Sequence, residues 1–209
     1  MIKKWFAVMF AVVLLSPWAI ASEASNKLAS RLSGLQTFEA RFTQFIVDQS
    51  GARIQETGGE IRARRPGQFY WHASPPIEQY VVSDGKIVRV YDPDLAQVTE
   101  QEMDQRISST PALLLSGDVK DLERSYDVTF RAIPDGREEY SLRPLDKESL
   151  FEVLQMWFKD GVLREMRLVD SLNQRSTILF DDVKVNTKLG DEAFRLDIPD
   201  GVDIIRATE

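Results

Sequence analysis

The run Ile61-Arg62-Ala63-Arg64-Arg65-Pro66-Gly67-Gln68-Phe69-Tyr70-Trp71-His72-Ala73 holds two strands and the turn between them. Side chains alternate across a strand, so Ile61, Ala63 and Arg65 share one face and Arg62 and Arg64 the other. Pro66-Gly67 supplies turn chemistry, and beyond it Phe69 and Trp71 alternate with Tyr70 and His72. If Ile61 and Ala63 face inward, Arg65 does too. An inward guanidinium needs several acceptors, which the last carbonyls of a covering helix would supply. The other reading is that Arg65 ends its strand and reaches out to solvent beside Pro66.

The same pattern extends in both directions. Period-two alternation starts at Gln36, with Phe38, Ala40 and Phe42 on one side, and predicts a first strand to about Val47. Turn signals follow at Ser50-Gly51, Pro75-Pro76, Asp84-Gly85, Asp92-Pro93, Asp135-Gly136, Asp160-Gly161, 171–174 and Asp200-Gly201. Strands are expected at Gln68–Ala73, Ile77–Ser83, Lys86–Tyr91, Tyr126–Ile133, Leu150–Lys159, Val162–Asp170 and Ser176–Lys184. With their neighbours they make roughly ten to twelve, joined by short hairpins. An antiparallel meander curled into a barrel or half-barrel is the expected outcome.

Two segments break the alternation. Leu28, Leu32 and Leu35 form one apolar stripe of a helix with Ser25 as its N-cap and Gly34 near its end. Between about 99 and 125, Thr110-Pro111 opens a short apolar helix over Ala112, Leu113, Leu114 and Leu115, and Val119, Leu122 and Tyr126 suggest another turn or two. Such an insertion can plug the open side of a curled sheet.

At the amino end Lys3 and Lys4, an apolar stretch and Ala19-Ile20-Ala21 form the pattern of a secretory signal peptide over 1–21, leaving 22–209 as one soluble, exported domain. The chain of 209 residues carries Lys+Arg 26 against Asp+Glu 33, a net charge of −7 that removal of Lys3 and Lys4 makes more negative. Nucleic acid is not an expected partner, because phosphate-binding surfaces are basic. The absence of Cys removes disulfides and thiolate chemistry.

Catalytic signals are missing together: there is no nucleophile elbow, P-loop, dinucleotide fingerprint or zinc helix. The lone His72 reads as structural or surface. Asp92-Pro93-Asp94 reads as a turn, since the remaining calcium ligands do not follow. Asp181-Asp182 point to opposite faces of a strand and make no dyad. The expectation is a non-enzymatic monomer without metal or organic cofactor. Apolar residues are abundant instead, and a curled sheet this wide exceeds what side chains alone fill. Phe38, Phe42, Phe69, Trp71, Leu113, Leu114, Met156 and Phe158 are the candidate lining of an apolar cavity, with Met156 and Met166 as adaptable wall.

Arg65-Pro66-Gly67-Gln68-Phe69-Tyr70-Trp71, Val82-Ser83-Asp84-Gly85-Lys86, Tyr91 to Thr99 and Thr110-Pro111-Ala112-Leu113-Leu114, in that order and spacing, resemble the periplasmic outer-membrane lipoprotein carriers of the Lol system. The likeness extends from Gln44 to the stretch Phe194–Gly201. It implies a mainly β fold with helices: an unclosed antiparallel β-barrel of about eleven strands under a helical lid. It implies a cavity for the acyl chains of lipoproteins in transit across the periplasm, from an inner-membrane ABC transporter to an outer-membrane receptor. The family's lid-gating arginine corresponds to Arg65, and its strand aromatic to Phe69. The alternatives are a lipoprotein-sensing or lipid-binding half-barrel and, from another class, a hydrolase. Whether the terminal loop and strand of some members are present is left open.

Overall fold

The computed structural model describes residues 17–103, 113–120 and 122–206, with side chains described from Glu23 onward, Leu113 excepted. Most of the signal peptide and the Thr110-Pro111-Ala112 helix start therefore lie outside the described residues.

One sheet of twelve strands carries the molecule. Its first half is β1 (Thr37–Val47), β2 (Arg53–Arg64), β3 (Gln68–Ala73), β4 (Gln79–Asp84), β5 (Ile87–Asp92) and β6 (Gln97–Glu102). Its second half is β7 (Tyr126–Ile133), β8 (Arg137–Pro144), β9 (Phe151–Lys159), β10 (Val162–Asp170), β11 (Arg175–Val185) and β12 (Asp203–Arg206). Neighbours run in the order β12-β6-β5-β4-β3-β2-β1-β11-β10-β9-β8-β7, so β1 is the spine that joins both meanders. The edges, β7 and β12, do not pair with each other, and the barrel is unclosed. Strands predicted at Gln68–Ala73, Tyr126–Ile133 and Val162–Asp170 have those same bounds.

Among the described residues the α-helices are α1 (Pro17–Ser33), α2 (Leu113–Ser116) and α3 (Leu122–Ser125). They cover the concave side: α1 contacts β7 and α3, while α2 contacts β2 and β3. Leu28, Leu32 and Leu35 of the predicted stripe are buried there beside Leu114, Leu115, Val119 and Leu122. Each such side chain removed from water contributes about 1.5–3 kcal/mol.

Three expectations are corrected. Helix α1 does not start at a Ser25 N-cap: the chain is already helical at Pro17, the first described residue, and Ser25 is buried in the middle of the helix. The insertion begins after Glu102 rather than at Thr99, because β6 is held by β5 on one side and β12 on the other despite its polar sequence. The sheet is not wholly antiparallel, since β12 pairs parallel with β6 from Asp203↔Gln97 to Arg206↔Glu100. After β11 the chain runs back over the outer face through a 3-10 turn at Asp191–Phe194, and so enters the edge in the direction of β6. That long return supplies the terminal loop and strand that the sequence left open.

Candidate functional site

The concave interior is a single apolar cluster. Phe38, Met156 and Phe158 are at most 1% exposed, and Phe42 and Phe69 at most 4%. Phe38 meets Phe180 edge-on at 5.4 Å, and Phe42 stacks on Trp71 at 3.7 Å. Trp71 is only half-buried, packed against the cluster rather than within it. Met156 and Met166 face each other across β9 and β10. Leu114 is fully buried; Leu113 lies on the same helical turn, its side chain outside the described set. Phe38, Phe42, Phe69, Leu114, Met156 and Phe158 thus lie buried in one cluster beneath the helices, with Trp71 packed at its margin.

Arg65 closes the seal. Its backbone N–H donates to Gln36 O at 3.0 Å, which continues the β1–β2 pairing by one residue. Its side chain enters the space between the helices: Nε donates to Leu32 O and Leu35 O at 3.2 and 3.1 Å, Nη2 to Leu114 O at 2.7 Å, and Nη1 to Gly117 O. All four acceptors are carbonyls at or just beyond the carboxyl ends of α1 and α2, where helix carbonyls lack partners within the helix; Leu32 O also accepts the Leu35 N–H at 3.0 Å. Burial lowers the guanidinium's pKa from its ordinary value, against the opposing charge of Asp118. An arginine stays charged there. The next turn adds a backbone tie, Gly67 N–H to Ser116 O at 2.7 Å. Gly67 has φ +73°, and a Cβ there would come within 2.9 Å of Gly85 Cα. Glycine is therefore required for this approach. The closed lid also carries a cost: the buried Ser116 hydroxyl has no hydrogen-bond partner among the described residues. Such a group costs about 1–3 kcal/mol.

The outer face carries a second cover. Arg62 Nη1 donates to Ala193 O at 3.2 Å, and Arg64 Nη1 donates to Leu189 O at 2.6 Å while Nη2 pairs with Asp191. Arg64 also lies over the Phe194 ring at 5.0 Å. Beneath this strap Val82, Tyr91, Val98 and Phe194 are buried, yet they do not belong to the interior cluster. Sequence reasoning missed this outer core because the strap has no periodicity. The available signal was Val82, apolar on the face opposite Val81.

The residues weighed for chemistry occupy ordinary roles. His72 Nε2 lies 3.0 Å from Glu78 Oε1, and the ring stacks on Tyr80 at 4.2 Å. Asp182 is exposed and pairs with Arg41 at 3.4 Å. Asp92 accepts the Leu95 N–H at 3.2 Å within its turn. Among the described residues no group of three or more His, Cys, Asp or Glu could hold a metal, and no helix is long and apolar enough to cross a membrane.

Comparison with known proteins agrees with this architecture. The chain is 43% identical over 202 residues to a Pseudomonas fluorescens protein named outer-membrane lipoprotein carrier protein, covering 95% of this chain and 97% of that one. A Pseudomonas aeruginosa protein of the same name is 41% identical over 208 residues, with 99% of each chain covered. Among solved structures, an uncharacterized conserved protein from Thermus thermophilus shares the fold at a TM-score of 0.57 and 12% identity, covering 88% of this chain and 99% of that one. The family described as outer membrane lipoprotein carrier protein LolA matches residues 33–197. An unclosed barrel sealed by helices, with such relatives over nearly the whole chain, places this protein in the LolA family of lipoprotein carriers.

Proposed function

We propose that this protein shelters the acyl chains of lipoproteins in its barrel and carries them through the periplasm, from an inner-membrane ABC transporter to an outer-membrane receptor. In this reading residues 1–21 are a signal peptide, residues 22–209 one monomeric carrier domain, and no catalytic group, metal or cofactor takes part. Phe38, Phe42, Phe69, Trp71, Leu113, Leu114, Met156 and Phe158 meet the acyl chains once the lid lifts. A chain buried among them contributes about 0.8 kcal/mol per CH₂, so affinity needs no polar site.

The observation that carries the reading is the clasp of Arg65 on the carbonyls of Leu32, Leu35, Leu114 and Gly117 above an apolar interior. A guanidinium that satisfies lid carbonyls only in the closed state lowers the open fraction, and the apparent affinity for a client falls by the same fraction. The carrier then holds its client loosely enough to hand it on. Arg65→Leu should bind a lipoprotein more tightly, by about tenfold to a hundredfold, yet transfer it poorly. Lysine at 65 should rescue only in part, because it lacks the planar fork. The test pairs client affinity with transfer to membranes bearing the receptor. A variant that binds worse and transfers all it binds makes Arg65 a client contact, and the gate is then lost.

A further inference from the structure

Tyr70 on β3, Tyr80 on β4 and Tyr91 on β5 stand side by side on the outer face of the sheet. Tyr80 is the cross-strand partner of Tyr91, and its ring lies 5.8 Å from that of Tyr91 and 6.4 Å from that of Tyr70. The strap passes over these rings without filling the space above them. A groove of about 370 Å³ remains, walled by Pro93, Leu196 and Pro199 and lined also by Glu78, Asp197 and Arg195. Ile77, next to Glu78 in the chain, is 53% exposed, and Leu95, two residues after Pro93, is 68% exposed.

We propose that this groove docks a basic segment of a partner protein, one lysine or arginine entering over the tyrosines while a neighbouring apolar residue rests on Ile77 and Leu95. The inference concerns the face opposite the client cavity and does not depend on the carrier reading.

Three independent features select this occupant. Tyrosine faces attract cations, as Arg62 does over Tyr70 at 4.7 Å; with His72 stacked on Tyr80, an incoming cation meets the ring surface that still lines the groove. Glu78 and Asp197 outnumber Arg195 in the lining, in a chain of net charge −7. Glu78 stays ionised, its pKa lowered by hydrogen bonds from His72 and then Tyr80. These carboxylates offer acceptors that a lysine or arginine N–H uses and a quaternary ammonium does not. They also repel lipid phosphate, as do Asp92 and Asp94 in the adjoining turn, so a membrane surface fits poorly. Finally, Ile77 and Leu95, exposed apolar residues within two positions of groove residues in the chain, suit a protein interface, in which arginine is enriched.

The experiment titrates purified protein, its tyrosine rings labelled with carbon-13, with a nine-residue peptide of alternating arginine and leucine. Ring signals of Tyr80 and Tyr91 should shift, and Glu78→Gln with Asp197→Asn should weaken binding about tenfold. Glutamine keeps an acceptor for Tyr80 and His72, and an unchanged melting curve checks the fold. Should that pair fail to fold, Ile77→Ser with Leu95→Ser, both at exposed positions, should weaken binding in its place. An absent ring shift, or equal binding of a glutamate–leucine peptide, overturns the proposal. So does tetramethylammonium binding as well as the arginine peptide, or the same shifts produced by phosphatidylethanolamine–phosphatidylglycerol vesicles.

Discussion

Arg64 and Arg65 are one peptide bond apart and fasten two different covers to two faces of one sheet. Arg65 holds α1 and α2 over the concave side through carbonyls alone, whereas Arg64 holds the strap over the outer side through the Leu189 carbonyl and the Asp191 carboxylate. What lies beneath differs more than the clasps do. The lid covers a large apolar cluster that a client could replace, and the strap covers a few residues around Val82 and Phe194 with nothing to exchange for them. On the carrier reading proposed above, a similar clasp would serve as a latch on one face and a rivet on the other. The surface underneath decides which.

The contrast can be broken most severely in the interior. Phe38→Ala should cost about 3–5 kcal/mol by urea denaturation, and Phe194→Ala under the strap less than half as much. Equal losses would mean that the outer patch is no lesser core. Next, Leu114→Asp should destabilise the closed lid by about 2 kcal/mol, read as faster hydrogen exchange of the 114–117 amides while those of β9 remain protected. Exchange unchanged at 114–117 would show that this helix does not lift separately. Arg64→Leu should cost about 0–1 kcal/mol and leave client affinity as it was, in contrast to Arg65→Leu. A gain in client affinity at Arg64→Leu would make the two clasps equivalent. The smallest effect is on pH. Hydrogen bonds from His72 and Tyr80 hold the Glu78 pKa below the ordinary carboxylate value, so its contribution is complete above that value and is lost as pH falls through the depressed one. Glu78→Gln should flatten that acid limb of a stability–pH curve, and an unaltered limb would mean that the His72 and Tyr80 hydrogen bonds to Glu78 add nothing to stability.

Alternation carried most of the fold. Gln68–Ala73, Tyr126–Ile133 and Val162–Asp170 are legible because each buries one face and bounds itself with turn residues. The same period assigned Arg65 to the face of Ile61 and Ala63, opposite Arg62 and Arg64, before any partner was known. What escaped was set by tertiary pairing. β6 reads as polar loop and becomes a strand only because two neighbours bind it, and β12 is four exposed residues whose parallel direction depends on a return across the sheet. The lid carbonyls that meet Arg65 are backbone atoms of residues up to 52 positions away, which no side-chain pattern encodes.

The position of β1 at the centre of the sheet also orders events in time. Its β2 neighbour is a hairpin away and forms early, but its other neighbour is β11, with Phe38 opposite Val185. Almost the whole chain must be available before the spine gains its second partner, and such non-local pairing is slow. Until then the β1 edge and the Phe38 and Phe42 face stand open to other chains. The wait for that second partner grows with the stretch of chain between residue 38 and residue 185, and with it the time for which the apolar face of β1 lies uncovered.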